Sequence, residues 1–250
     1  MTRVLVVWED RHYEALSTFA RRRLRANASR AEFPVLLFHT SNGNGAFGRY
    51  AESTWPRARA SGLPGDPKPI DHVVFVADGD RLSELPLGTA PPPQDPAQID
   101  EWHGVAEATW TEYLRARSPD SVPRETVHGV VLRWSKESLL LAGFDRPPTA
   151  EHLKIDVSRA GVSAFLRSCS PDPSTVEMAR FSNAFRRPLR CIRDLQKASE
   201  QETVAKNDPV LDDALRALAS HHHDVVASRV PDLDRLAKLI WSLGPVEIST

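Results

Sequence analysis

The chain has 250 residues, of which 41% are hydrophobic and 26% are charged, and its formal net charge is −1 at pH 7. These values are typical of a folded globular protein and exclude the intrinsically disordered class. No apolar run approaches the about 20 residues that a membrane-spanning helix needs, so no membrane partner is expected. The two cysteines lack CxxC spacing, which favours free thiols and predicts a reducing, cytoplasmic compartment.

Strand-like and helical patterns alternate over the first 145 residues. Short apolar, largely β-branched runs predict four strands, over residues 4–8, 33–39, 72–77 and 127–134. Apolar residues at helical spacing predict helices over residues 13–26, 47–60 and 97–117, the last with Trp102, Val105, Trp110 and Leu114 on its inner face. Such alternation predicts an α/β fold with a parallel sheet of about four strands, right-handed crossovers and flanking helices.

The pattern changes near residue 146. Residues 150–169, 174–199, 208–219 and 231–243 are mainly helical in pattern. We therefore predict an α/β domain over residues 1–145, and the acidic residues described next make it the candidate metal-binding catalytic domain. A mainly helical region over residues 146–250 is predicted to bind nucleic acid or a protein partner.

Acidic residues follow three of the predicted strands. Glu9 follows the first strand, Asp78 and Asp80 follow the third, and Glu137 follows the fourth. In an open parallel sheet, ligands bind beyond the carboxyl ends of the strands, so acids from distant segments converge there. Carboxylate oxygens suit a hard cation, which predicts a site for Mg²⁺ or Mn²⁺.

This order of motifs resembles the Toprim domain of topoisomerases, bacterial primases and small nucleases of the OLD and RNase M5 type. The matching segments are VLVVWEDRHYEALSTFARRRL, VLLFHTSNGNGAF, HVVFVADGDRL and HGVVLRWSKESLLLAG. The resemblance is closest to small bacterial Toprim-like proteins that accompany ATPases in defence-type gene clusters. It implies a Rossmann-like catalytic domain that hydrolyses phosphodiester bonds in nucleic acid, as part of a phage-defence system with a partner ATPase.

The resemblance also implies roles for individual residues. Glu9 matches the first-strand glutamate, and Asp78 with Asp80 matches the Asp-x-Asp pair that holds magnesium. Glu137 matches an acid that supplies a second metal in nuclease-type members. Lys136 or Lys154 would stabilise the phosphate during reaction. Glu14, in the first helix, is a secondary acidic candidate.

Arginine is concentrated in two segments. The second contains Arg180, Arg186, Arg187, Arg190 and Arg193, interleaved with aromatic residues, and predicts contacts to a nucleic-acid backbone, with DNA favoured over RNA. The first cluster, over residues 21–25, is interpreted as a solvated helix face. The predicted nucleic-acid-binding residues are therefore Arg180, Arg186, Arg187 and Arg190.

Two other interpretations compete with a nuclease. In a receiver-like domain, Asp78 would accept a phosphoryl group and Lys136 would lie on the last strand. In a binding or regulatory subunit of a larger complex, the acids would cap helices and satisfy loop backbones without catalysis. A homodimer is a further expectation, and the chain has no GxxxxGK[ST] motif, so any ATPase activity would belong to a partner.

Overall fold

The structure is a computed structural model that describes residues 1–9, 13–27, 34–41, 46–79, 82, 96–132, 136–169, 188–205, 208–229 and 232–244. Four strands form its sheet: β1 (Arg3–Trp8), β2 (Val35–Thr40), β3 (His72–Asp78) and β4 (Val127–Leu132). All neighbouring strands are parallel, in the order β2-β1-β3-β4. The predicted α/β fold with a four-stranded parallel sheet is confirmed, and it is Rossmann-like.

Both faces of the sheet are buried along β1, β3 and β4, whereas β2 at one edge is only partly buried, and each face belongs to a different hydrophobic cluster. Alternate residues of β1 divide between them, with Val4, Val6 and Trp8 in one cluster and Leu5 and Val7 in the other. This division follows from the two-residue period of a strand. It also explains why the strands are continuous apolar runs, since a sheet covered on both faces has no polar side.

The face that contains Leu5 is covered by helices from the first half of the chain. These are α2 (Phe47–Arg49), a π-helical turn (Tyr50–Thr54), α3 (Trp55–Ser61) and α4 (Pro96–Arg117). Trp110 and Leu114 of α4 are fully buried, as predicted, whereas Val105 is 62% exposed, so its predicted place on the inner face is wrong. Ala106 is buried instead, because it lies four residues before Trp110 on the face that Trp110 and Leu114 share, whereas Val105 lies on another side of the helix.

The opposite face is covered by α1 (Tyr13–Asn27) and by helices from the second half of the chain. They are α5 (Lys136–Ala142), α6 (Pro147–Leu153), α7 (Ala160–Cys169), α8 (Pro188–Ala198), α9 (Pro209–His221), α10 (His223–Arg229) and α11 (Asp232–Ser242). The helical pattern over residues 150–169 is interrupted after α6, where Lys154 adopts a positive φ of 54°.

The helical region shares its core with the sheet. One cluster of buried residues contains Val6 of β1, Phe19 of α1, Leu218 of α9 and Leu236 of α11. The helix α1 packs against both α9 and α11. Hydrophobic packing is therefore continuous across residue 146. No helix in the described ranges is long and apolar enough to cross a membrane.

Candidate functional site at the carboxyl ends of β1 and β3

The order of the strands creates a switch point between β1 and β3. The chain leaves β1 to form β2 on one side of it, and β3 then lies on the other side. At a switch point of this kind the crossover connections go to opposite sides, beyond the carboxyl ends of the two strands. Crevices at such points are the usual ligand sites of open α/β sheets.

Two of the predicted acids meet at this switch point. Glu9 follows β1 directly, and Asp78 is the last residue of β3. The Asp78 backbone N–H donates a hydrogen bond to the Glu9 carboxylate, with 3.4 Å between N and Oε2. Both residues are partly buried. The structure thus brings Glu9 and Asp78 together as neighbours.

Ser41, which follows β2, is hydrogen-bonded to the carboxyl end of β1. Its backbone N–H donates to the Trp8 carbonyl over 2.8 Å, and its hydroxyl donates to the same oxygen over 3.3 Å. Ser41 is buried, so these bonds satisfy polar atoms that would otherwise be desolvated without partners. They hold the chain that leaves β2 close to the residue before Glu9.

Glu137 lies in the first turn of α5, which follows β4. It is 8% exposed. A carboxylate in the first turn is favoured by the positive end of the helix dipole, which helps to offset the cost of burial. Within the described part of the chain, no hydrogen bond or ion pair reaches the Glu137 side chain.

The carboxylates fit the needs of Mg²⁺ in donor type. This cation binds through one or two carboxylates and keeps several waters, so Glu9 and Asp78 supply enough protein oxygens. Asp80, the other half of the predicted pair, lies outside the described residues. The residues that are described contain no group of three or more His, Cys, Asp or Glu side chains placed to hold one metal ion.

The other predicted site residues are distributed away from this pair or are not described. Lys136 opens α5, but its side chain lies outside the described residues, as do Arg180, Arg186 and Arg187. Lys154 ends α6 and is exposed, and the hydrogen bonds that the described ranges give it are to its own helix.

Arginines of the second cluster that are described have partners within their own region. Arg190 is exposed on α8, with its Nε 3.9 Å from an oxygen of Asp194, one turn away. Arg193 donates from Nε to the Val204 carbonyl over 2.8 Å. Arg193 therefore acts in the packing of the chain after α8.

A second polar cluster, which the sequence reasoning missed, covers the outer edge of β4. Side chains four residues apart on α4 form hydrogen bonds there with the backbone of β4, in the place that a fifth strand would occupy. Glu107 accepts from the Val131 N–H over 3.1 Å, and Thr111 accepts from the Gly129 N–H over 3.0 Å. Arg115 donates to the Val127 carbonyl over 3.2 Å. This pairing protects an edge that would otherwise expose open backbone groups.

Residues of α11 complete this second cluster. Arg235 lies 2.7 Å from Glu107 and also contacts His103 and Asp232. His103 and Asp232 are each 2% exposed. A cavity of about 550 Å³ adjoins the cluster, but its principal charges are paired with one another. The cluster is best explained as structural, and the 103-107-111-115 spacing is the signal that identifies it in the sequence.

Two histidines lie side by side on β3 and β4. His128 Nε2 is 3.4 Å from His72 Nδ1. Burial lowers the pKa of His128 to about 4, with smaller contributions from His72 and Arg115. Burial also lowers the pKa of His72. Both rings are therefore neutral at pH 7.

Comparisons of the chain with protein-family models, curated proteins and solved structures found no match.

Proposed function

We propose that the protein is a Mg²⁺- or Mn²⁺-dependent phosphodiester hydrolase that acts on nucleic acid, with its site at Glu9 and Asp78. The observation that carries the proposal is the hydrogen bond from the Asp78 N–H to the Glu9 carboxylate. It unites two acids at the switch point of a parallel sheet, where ligands of such sheets bind. The Toprim resemblance of residues 1–145 supports the same chemistry.

The chain's own residues have separable roles in this proposal. Asp78 and Glu9 would hold the cation, which when bound neutralises charge on the phosphate and activates water. The Asp78 N–H orients the Glu9 carboxylate, so Glu9 is also the candidate to accept a proton from the attacking water. Asp80 and Glu137 are proposed as further ligands, and Lys136 or Lys154 as the cation that faces the phosphate.

The wider setting belongs to the same proposal. DNA is the proposed substrate and the cytoplasm the proposed compartment. An ATPase is the proposed partner, and self-association is proposed through the helical region. None of these is needed for the two acids to bind a metal, so metal binding is the first property to measure.

The test compares the parent protein with Asp78→Asn in calorimetric titrations with Mg²⁺ and Mn²⁺. The matched control is Asp71→Asn. Asp71 precedes β3, at the end of the strand opposite to Asp78, and its carboxylate also accepts a backbone hydrogen bond, from the Arg3 N–H. We expect binding by the parent and the control but not by Asp78→Asn. Absence of metal binding by the parent would refute the proposed site.

Cleavage is measured in parallel with plasmid, linear duplex and single-stranded DNA and with RNA, in either metal or in EDTA. We expect metal-dependent cleavage that is lost in Asp78→Asn and retained in Asp71→Asn. The second candidate function is a binding or regulatory subunit. It is favoured by the lack of a three-acid group within the described ranges, and metal binding without cleavage of any substrate would support it.

A further inference from the structure

The four arginines of α1 divide into two roles. Arg23 forms an ion pair with Asp234 of α11, with 2.5 Å between Nε and Oδ1. Arg21, Arg22 and Arg25 are exposed and line a groove of about 580 Å³. The fold therefore uses Arg23 to join two helices, while the other three arginines face the groove.

The groove has a regular geometry along α1. Thr18, Arg21, Arg22 and Arg25 follow the i, i+3, i+4, i+7 spacing that places side chains on one stripe of a helix. At about 1.5 Å per residue, the stripe is about 10 Å long. One strand of B-DNA carries a phosphate about every 3.4 Å along its axis, so the stripe is long enough to meet more than one phosphate.

The charge of the groove is uncompensated within the described ranges. The described residues that line it are Thr18, three arginines, Ala26 and His223, with no carboxylate. The Arg21 guanidinium lies 4.8 Å from the centre of the Phe38 ring, a cation–π contact that positions it without neutralising it. The described ranges give Arg22 and Arg25 no ion pair. Arginine's planar fork is suited to phosphate.

His223 closes the groove from the first residue of α10. Its Nδ1 is buried and has no hydrogen-bond partner in the part of the chain that the structure describes. Burial lowers the pKa of His223; the neighbouring Asp224 raises it, and Arg22 and Arg23 lower it. At pH 7 the ring is thus a neutral polar group beside the arginines.

The position of the groove relates it to the candidate site. The helix α1 begins four residues after Glu9, and the stripe begins at Thr18, about 8 Å further along the helix axis. From there it runs away from the carboxyl ends of the strands, because a crossover helix is antiparallel to the strand before it. A nucleic-acid strand that bound along the stripe would therefore be directed towards Glu9.

We propose that Thr18, Arg21, Arg22, Arg25 and His223 form a binding groove for the sugar–phosphate backbone of a nucleic-acid strand. The identity of the ligand rests on the proposed function, but binding in the groove requires neither metal nor cleavage. This assigns backbone binding to Arg21, Arg22 and Arg25, in a cluster that the sequence pattern alone indicates to be a solvated helix face.

The test is fluorescence anisotropy with a labelled 20-nucleotide single-stranded DNA, the matching RNA and the duplex, all in EDTA so that no cleavage occurs. The variant is Arg21→Gln/Arg22→Gln/Arg25→Gln. The matched control is Arg49→Gln/Arg57→Gln/Arg124→Gln, which removes the same charge at exposed arginines outside the groove. A second variant, Arg22→Gln/Arg25→Gln, retains the Arg21 contact with Phe38, and thermal melting checks that each protein folds.

We expect the groove variant to bind about 10- to 100-fold more weakly than the parent near 0.1 M salt. The slope of the logarithm of the binding constant against the logarithm of the salt concentration should be less steep by about 2. Each phosphate contact to a single strand contributes about 0.7 to this slope, and the variant loses three. The control should bind within about twofold of the parent. The two-arginine variant should show an intermediate loss.

Three outcomes would refute the proposed binding of nucleic acid in the groove. They are an equal loss in the control, no binding by the parent, and release of the strand by inorganic phosphate at an ionic strength where chloride leaves it bound. The last would indicate a site for isolated phosphate. These results do not depend on metal, so failure of the groove is distinguishable from failure of the site at Glu9 and Asp78.

Discussion

The backbone N–H of Asp78 donates to the carboxylate of Glu9, although 69 residues separate the two in the chain. The bond exists because β1 and β3 are paired in the sheet, with Trp8 opposite Val76. Glu9, which follows Trp8, and Asp78, the last residue of β3, therefore meet at the carboxyl ends of the two strands. This relationship makes the two acids a unit that can be tested by conservative substitution.

Glu9→Gln tests the charge of this unit. Its amide oxygen can still accept from the Asp78 N–H, so we expect the free energy of unfolding to change by less than about 1 kcal/mol. Metal-dependent cleavage should fall at least about 100-fold, the usual contribution of a general base. The readouts are urea unfolding and the initial rate of DNA cleavage.

Glu52→Gln is the matched control for Glu9→Gln. Glu52 is exposed in the π-helical turn and lies 2.6 Å from Arg117. We expect its cleavage rate to stay within about threefold of the parent, because a surface ion pair contributes little. Equal activity of Glu9→Gln and the parent would contradict the role proposed for Glu9.

The neutral histidine pair predicts loss of stability in acid. The pKa of His128 is about 4 in the folded protein, below the value of about 6.5 expected in the unfolded chain. Below pH 6.5 the unfolded state gains a proton that folded His128 does not accept until about pH 4. His128 therefore favours unfolding progressively as the pH falls through this window, by about 3 kcal/mol in total.

His128→Gln should remove this contribution. Urea unfolding at pH 7 and at pH 4.5 should show a smaller loss of stability for His128→Gln than for the parent. His152→Gln changes an exposed histidine on α6 and should behave as the parent does. A pH dependence in His128→Gln that matches the parent's would argue against a neutral, buried His128.

Close contact between α4 and β4 predicts that substitution by alanine has opposite effects on stability at Gly129 and at Gly104. A Cβ at Gly129 would lie 2.6 Å from Trp110 Cδ1 and 2.7 Å from Thr111 Oγ1, whereas a Cβ at Gly104 would meet nothing within 4 Å. We expect Gly129→Ala to lower the free energy of unfolding by about 1–3 kcal/mol. Gly104→Ala, within a helix, should raise it by about 0.5–1 kcal/mol. Thermal and urea unfolding check both signs.

The edge of β4 depends on Glu107, which accepts from the Val131 N–H and pairs with Arg235. We expect Glu107→Ala to lower the free energy of unfolding by about 1–3 kcal/mol, because both partners lose their acceptor. Glu112→Ala removes an exposed acid of the same helix, paired with Arg115 over 2.8 Å. Its effect should be below about 0.5 kcal/mol, and an equal effect of the two variants would refute the structural role.

Continuous packing across residue 146 predicts a single unfolding transition. Leu236 of α11 is fully buried in the cluster that contains Val6 of β1. We expect Leu236→Ala to cost about 2–5 kcal/mol. Far-ultraviolet circular dichroism and tryptophan fluorescence should change together in both the parent and the variant. Two separated transitions, with only one shifted by the substitution, would show that the helical region folds independently.

Local patterns were sufficient for most of the secondary structure. β-Branched apolar runs predicted the four strands to within two residues at each end, because a doubly covered strand is apolar throughout. Helical spacing predicted α1 and α4 and the burial of Trp110 and Leu114, but it placed Val105 wrongly. The pattern alone favours Val105 as the larger apolar residue, whereas burial depends on the side of α4 that packs against the sheet, where Ala106 lies.

The sequence by itself determined that acids stand at strand ends and that arginines cluster in α1, since both are local facts. Only the tertiary structure decided which of them act together. Glu9 meets Asp78 because the strand order makes β1 and β3 neighbours, and Arg23 differs from Arg22 because Asp234 of α11 packs beside one and not the other. Such choices depend on contacts between residues far apart in the chain, which local propensity and periodicity do not encode.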